Sequence, residues 1–399
     1  MTIGQTTTYS NSIRTQYLAK YIEGAMMRRV YDQLASPVGK NMSELEKGSS
    51  VQVNFLSDLA PATSAISQVT DVTPVTMRDA TASVTPTSRA NAIQDSELLL
   101  IQAYTDYVAK RYQRIGDNMM ESVDLLAQAA ALKGGNVYRY AARASLDAGT
   151  ANHRMSETVV NMAQSILLNS KCPAYMTKVG GRWVFIAHPD AVYDLRQSAN
   201  ILAVGQYQQA EMILRGEIGE FLDFKIVSTP FAKVFGGAGL DNGTAVATTL
   251  SSAANALAKQ IVVASASNIT VGRYLTIGTE ETGSTHYETN ERVRVSDEYS
   301  SGTTVDIIGE GANGGLRFDH ASGVAVRNAD SVYPVVFGGP SSLAKVYATE
   351  VGEFGQVVGP RREGMVDQWA TLGWKFYGGY GRLAEGWLVR AEVSSSLDA

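Results

Sequence analysis

The chain has 399 residues, too many for one hydrophobic core, so two or three domains are expected, some of them discontinuous. Its 34 basic and 39 acidic residues leave a net charge of -5, which offers no general electrostatic drive toward nucleic acid or an anionic membrane and disfavours a tight DNA binder. With 45% hydrophobic and only 18% charged residues, much of the surface is expected to meet other protein.

The single cysteine, Cys172, cannot form an intrachain disulfide, and with no cationic cluster beside it an inert, packed thiol is expected. The polar residues 1–12 carry no secretory pattern, and no apolar run is long enough to span a bilayer; a soluble protein made in the cytoplasm is the expectation.

In chain order, Ile13, Tyr17 and Tyr21 form one helical row and Leu18, Ile22, Met26, Val30 and Leu34 another, which predicts an amphipathic helix ending before Pro37. It packs on its own domain or on a neighbouring chain, and Tyr17 and Tyr21 are candidates for the second role. Residues 49–91 turn to Thr, Ser, Val and Ala, with Pro61, Pro74 and Pro86 excluding helix. Val51, Val53 and Phe55 alternate in one short strand, and Ala80, Ala82 and Val84 in another. A two-stranded ribbon has too little apolar surface to stand alone. A second subunit is the expected support, and Val51, Val53, Phe55, Ala82 and Val84 are the interface candidates.

Asp95 or Ser96 then caps a very long helical segment carrying Leu98, Leu99, Ile101, Val108, Ile115, Met119, Val123, Leu126 and Leu132, closed by Gly134 and Gly135. About 36 residues would make a spine of about 55 Å. Gly116 in its middle predicts a bend or a close backbone contact. Beyond it, helices over about 157–168, from Pro189 and Asp190, and over about 206–214 alternate with strands over 183–187 and 224–227, as in a compact α/β-like domain.

Gly236-Gly237-Ala238-Gly239 marks the next boundary. From there to about Asn328 the pattern is all-β, with strands over 260–263, 274–277, 292–295, 304–308 and 323–327. This reads as a small barrel or sandwich inserted at an exposed loop, because mixed α/β character resumes at Val332. Strands over 373–377 and 387–393, separated by a Gly-rich turn, end the chain.

Chemistry is sparse. None of His153, His188, His286 and His320 stands in a metal-ligand or catalytic spacing. His188, before Pro189, reads as a helix cap or packing residue rather than a base. His286 and His320, with Glu288 and Asp319, are the one conceivable surface metal set, and it depends on strand pairings that spacing does not reveal. The glycines at 236–239 are followed by no Lys-Ser/Thr pair and read as a linker. Glu280-Glu281 are adjacent, point to opposite faces of a strand, and cannot flank one bond as glycosidase carboxylates do. The pairs Arg28-Arg29 and Arg361-Arg362 read as salt-bridging or solvated residues. No catalytic residue, cofactor or metal site is assigned.

Three stretches carry a resemblance. The strand Trp183-Val184-Phe185-Ile186-Ala187 runs into His188-Pro189-Asp190; Gly216-Glu217-Ile218-Gly219 follows, then Phe224-Lys225-Ile226-Val227-Ser228-Thr229-Pro230. This order resembles the axial domain of Hong Kong 97-type major capsid proteins of tailed bacteriophages, in the branch related to phage N-four coat proteins. Gly373-Trp374-Lys375-Phe376-Tyr377 resembles the strand that returns such chains to their peripheral domain.

The resemblance implies an α+β Hong Kong 97-type capsid fold with an inserted all-β module. Its expected parts are an N-terminal arm with a helix (1–48), an extended loop forming the β ribbon (49–94), the spine helix of the peripheral domain (95–135) and the first part of the axial domain (136–235). The insert (236–330), the second part of the axial domain (331–372) and the C-terminal peripheral strands (373–399) follow. The implied function is self-assembly into the icosahedral shell around double-stranded DNA, in the virion. The implied partners are many copies of the chain in hexamers and pentamers, a portal, a separate scaffolding protein, a decoration protein as an optional addition, and packaged DNA only non-specifically, with no membrane. Some members of this fold join subunits through a lysine on the extended loop, and residues 49–91 contain no lysine, the nearest being Lys47. Two alternatives compete with this reading. A tail or baseplate protein would be β-rich without needing the long helix, and an enzyme would need a pocket of convergent titratable groups.

Overall fold

The computed structural model describes residues 30–37, 50–63, 69, 74–102, 105–146, 149–177, 180–197, 220–221, 223–236, 246–278, 291–309, 311, 314–328, 331–348 and 355–398. The rows carrying Tyr17 and Tyr21, the helix expected over 206–214, Arg28-Arg29, Glu280-Glu281, His286 and Glu288 lie outside these residues. The chain forms two compact units, one from residues up to Ala127 with Leu343–Leu383, the other from Gln128–Ser342 with Ala384 onward.

The first unit is built on a five-stranded sheet in the order Ala35–Pro37, Leu343–Tyr347, Trp369–Arg382, Gln356–Glu363, with Thr87–Ser96 also pairing along Trp369–Arg382. In the long strand Leu372, Trp374 and Phe376 alternate inward, and Ile115, Met119, Met120 and Val123 of the helix Thr105–Leu132 recur at helical spacing to meet them. Trp374 Nε1 donates to Asn118 Oδ1 at 2.9 Å, so the indole is buried with its one polar atom satisfied.

The helix start follows an expected cap, and one expectation needs correction here. Asp95 and Ser96 close the ladder opposite Ala370 and Trp369, and Ser96, one of the two expected caps, opens the helix that starts at Glu97, its Oγ accepting from Leu99 N–H at 3.3 Å. Helix is described over Glu97–Gln102 and over Thr105–Leu132, and the latter runs through Gly116, which is buried. The Gly-rich stretch 378–381 is not a turn but lies within the strand Trp369–Arg382, toward its end. A Cβ on Gly379 would stand 2.6 Å from Thr85 O and one on Gly378 2.6 Å from Val346 O, so glycine here admits close backbone approach. These pairings also shift the expected boundaries: Leu343–Leu383 belongs with the first unit, and Leu388–Val393 pairs with Ser331–Gly338 in the second.

The second unit holds an eight-stranded mixed sheet in the order Val137–Arg139, Leu388–Val393, Ser331–Gly338, Gly180–Ala187, Phe224–Ser228, Glu220–Phe221; Phe235–Gly236 and Tyr175–Thr177 pair beside it. The helix Glu157–Asn169 contributes Val159, Val160, Ala163 and Leu167 to the same core as Phe185, Phe224 and Phe337. Phe185 and Phe337 stack at 4.9 Å, with Phe224 edge-on to Phe337 at 5.2 Å. His188 caps the helix Pro189–Arg196, its Nδ1 accepting from Asp190 N–H at 3.2 Å with Pro189 at the first helical position.

The inserted module has its own core: Leu275, Ile277, Val293, Val295, Val305, Ile307 and Val326 point inward at every second residue. Its six strands run in the order Val246–Thr249, Ala325–Asn328, Tyr274–Ile277, Glu291–Val295, Thr304–Ile308, Gln260–Val262. The ends meet: Leu250 bridges Val263, Ser251 N–H donates to Val262 O and Ala264 N–H to Thr249 O, each at 2.8 Å. The sheet is therefore a closed barrel, the arrangement that leaves no unpaired edge.

Candidate assembly interface

The ribbon is the strand pair Val51–Leu56 and Asp79–Val84, antiparallel, with Val51 opposite Val84, Val53 opposite Ala82 and Phe55 opposite Ala80. Those residues share one face, as their alternation requires. Their burial falls along the ribbon. Val51 (8% exposed) and Val84 (2%) pack with Ala344 and Val346 of the first unit's sheet, so these two interface candidates serve the chain's own core. Val53, Phe55 and Ala82 are only half-buried. Past them Leu56 is 70% exposed and Val75 73%, with Leu59 and Met77 about half exposed. The ribbon is thus rooted in its own subunit while its outer apolar residues find too little of it to cover them.

A second apolar surface, absent from the sequence reading, lies at the far end of the same sheet. Glu97 N–H donates to Gln368 O at 2.8 Å, bringing the helix Glu97–Gln102 to the hairpin that joins Gln356–Glu363 to Trp369–Arg382. Leu98, Leu99 and Ile101 on the helix, and Met365, Val366 and Trp369 on the hairpin, are all exposed. Met and Val placed in a turn after Gly364 were the available signal, because turn residues are ordinarily polar. Charges of both signs border them, with Arg362 pairing with Glu97 at 3.2 Å.

Among the described residues, the titratable groups read as chemistry candidates have partners within the chain. His320 Nε2 lies 2.7 Å from Glu291 Oε1 within the barrel, and Glu291 also accepts from the backbone N–H groups of Arg317 and Phe318. Ala256 N–H donates to Asp319. The His153 ring lies 5.5 Å from Tyr140. Among the described residues no group of His, Cys, Asp and Glu is arranged to hold a metal ion. Cys172 is buried, and desolvation pushes its thiol up to about 11, against the weaker opposing hydrogen bonds from Trp183 and Gly339. Glu392 is buried among Arg139, Arg143 and Arg390. Desolvation acts to raise its carboxyl, but the hydrogen bonds from Arg143 and Arg139 and the nearby guanidinium charges outweigh it and hold the group below its ordinary range.

An α+β subunit with a rooted, outward ribbon, a long helix across a sheet and a separate mixed sheet is the Hong Kong 97-type capsid fold. Solved structures similar to the chain bear this out. The chain is similar to a subunit of the cyanophage Pam1 capsid asymmetric unit, at 12% identity over 89% of this chain and 87% of that one, with a TM-score of 0.51. It is similar also to the capsid of cyanophage P-SCSP1u (12% identity, 92% and 90% covered, TM-score 0.51) and to the acid-stable capsid of Helicobacter pylori bacteriophage KHP30 (10%, 92% and 89%, 0.51). No protein-family model matches the sequence, and no curated relative does. At these identities the likeness is one of fold.

Proposed function

We propose that the chain is the major capsid protein of a tailed bacteriophage, self-assembling through hexamers and pentamers into an icosahedral shell. The observation that carries this reading is the ribbon, whose root is anchored by Val51 and Val84 while Leu56, Leu59, Val75 and Met77 stay exposed. An apolar strand pair held out from its own core gains its burial from another chain, and one such contact repeated around a closed shell accumulates large stability. The exposed set at Leu98, Ile101, Met365, Val366 and Trp369 supplies a second surface of the same kind. A portal and a separate scaffolding protein are the further partners of this reading, with a decoration protein as an optional one. Its place near the N-four branch rests on the sequence resemblance carried by the strand Trp183–Ala187 running into His188-Pro189-Asp190.

The test is electron microscopy of the full chain, expressed alone and with its neighbouring phage genes, alongside Phe55→Asp. Closed shells are expected from the parent, and soluble, folded but unassembled subunits from the variant. Only small discrete oligomers under every condition, or normal shells from the variant, would overturn the proposal.

A further inference from the structure

The barrel leaves and rejoins the eight-stranded sheet at one place. Phe235 lies opposite Val332 and Gly236 opposite Ser331, so the chain leaves and re-enters the sheet at paired residues. Attachment at one place fixes where a module is joined but not its orientation, which must come from contacts elsewhere.

Such a contact is built around Arg292, on the barrel strand Glu291–Val295. Its Nη1 donates to Asp190 Oδ2 at 3.0 Å, and Asp190 sits in the first turn of the helix Pro189–Arg196, outside the barrel. The same oxygen accepts from Tyr333 Oη at 3.0 Å, and Tyr333 belongs to the strand Ser331–Gly338. The guanidinium stands 3.7 Å from the centroid of Tyr274 on the neighbouring barrel strand and 5.7 Å from that of Tyr333. The register explains the first of these: Thr276 is opposite Arg292 and Tyr274 opposite Arg294, so Tyr274 is a diagonal neighbour on Arg292's own face. His188, whose ring lies 5.1 Å from Tyr333, has Nδ1 3.4 Å from Asp190 Oδ2 and closes the far side. The Arg292 side chain is 10% exposed, so the pair is little screened by salt. Arg317, 5.5 Å from the Phe231 ring, makes a second and more exposed contact.

We propose that Arg292 is an orientation pin: by pairing with Asp190 while lying over the Tyr274 ring and near that of Tyr333, it holds the barrel in one fixed pose on the α/β body. The task suits arginine, which donates in its plane and stacks on its faces at once, whereas an ammonium offers only a point charge. The pin stands on these contacts whether or not the chain builds a shell. If it does, a single pose gives every copy the same outer surface.

The pin is tested by spin-label distance measurements on the full-length chain carrying Asn161→Cys on the helix Glu157–Asn169 and Glu298→Cys on the barrel, both exposed positions, with Cys172 too buried to label. One narrow distance peak is expected for the parent. Arg292→Ala and Arg292→Lys should both lose it to a broad distribution, while hydrogen exchange at Leu275, Val293 and Val305 inside the barrel stays slow. A peak as narrow as the parent's in Arg292→Ala overturns the pin. Should that variant lose barrel protection, Asp190→Asn, which leaves the barrel sequence untouched, decides: a broad distribution sustains the pin and a narrow one refutes it.

Discussion

At the scale of single residues, the buried charges of the first unit set a pH dependence. Asp124 on the long helix accepts from the backbone N–H groups of Val30 (3.1 Å) and Asp32 (3.0 Å), tying the turn Tyr31–Leu34 to the helix. Desolvation outweighs those hydrogen bonds and pushes its carboxyl up to about 6. Asp32 in turn is paired with Lys345 Nζ at 2.6 Å and accepts from Tyr380 Oη. Because the Asp124 carboxyl is raised above its unfolded value near 4, the stability linked to its proton is fully present below about pH 4 and is lost as pH rises through 6. The loss is on the order of 3 kcal/mol by neutral pH. Asn at this position keeps a carbonyl acceptor and removes the charge. Asp124→Asn should therefore match or exceed the parent in urea midpoint at pH 7.5 and should lack the parent's gain in stability between pH 7 and 5. Parallel pH profiles for the two proteins would contradict the assignment.

At the scale of elements, the ribbon and the strand after it behave differently although one composition runs through both. Thr, Ser and Ala continue from the ribbon into Thr87–Ser96, and what sets the second apart is the ten-residue ladder with Trp369–Arg382. Hydrogen exchange separates them. In free subunits the amides of Thr87–Ser96 should be protected and those of Val53–Phe55 and Thr81–Ala82 should exchange fast, and in shells both should be slow. Strong protection of the ribbon's outer half in the monomer would remove the reason to give it a partner. The burial gradient along the ribbon was only half legible beforehand. Alternation picked out Val53, Phe55 and Ala82, but Val51 and Val84 obey the same alternation and are core, because depth along a ribbon is decided by the sheet beneath it.

At the scale of the whole molecule, the pairing of Phe235 and Gly236 with Val332 and Ser331 predicts that the barrel between them can be removed. A short Gly/Ser linker from Gly236 to Ser331 spans neighbours already paired, so the rest of the chain should remain soluble with its helical circular dichroism intact. Loss of all folded product would show that the barrel belongs to the core. A shell of this chain should also be held without isopeptide links through the ribbon, since 49–91 contains no lysine. Boiled in detergent and reductant, shells should run as one band at the monomer mass, and a ladder containing ribbon peptides would refute this.

Periodicity in the sequence alone determined the short-range elements: the ribbon strands, the helix capped by His188, and the barrel strands at 274–277 and 304–308, each of which the structure reproduces. These are legible because the signal, a repeat of two or of 3.6 residues with its cap, is local. Only the tertiary structure decided that Gly378 to Gly381 continue a strand, that Leu388–Val393 joins the second unit's sheet, that the barrel closes, and that Arg292 meets Asp190 from 102 residues away. Each of these depends on which distant backbone comes within hydrogen-bonding reach, and the pattern within a single segment does not encode that partner.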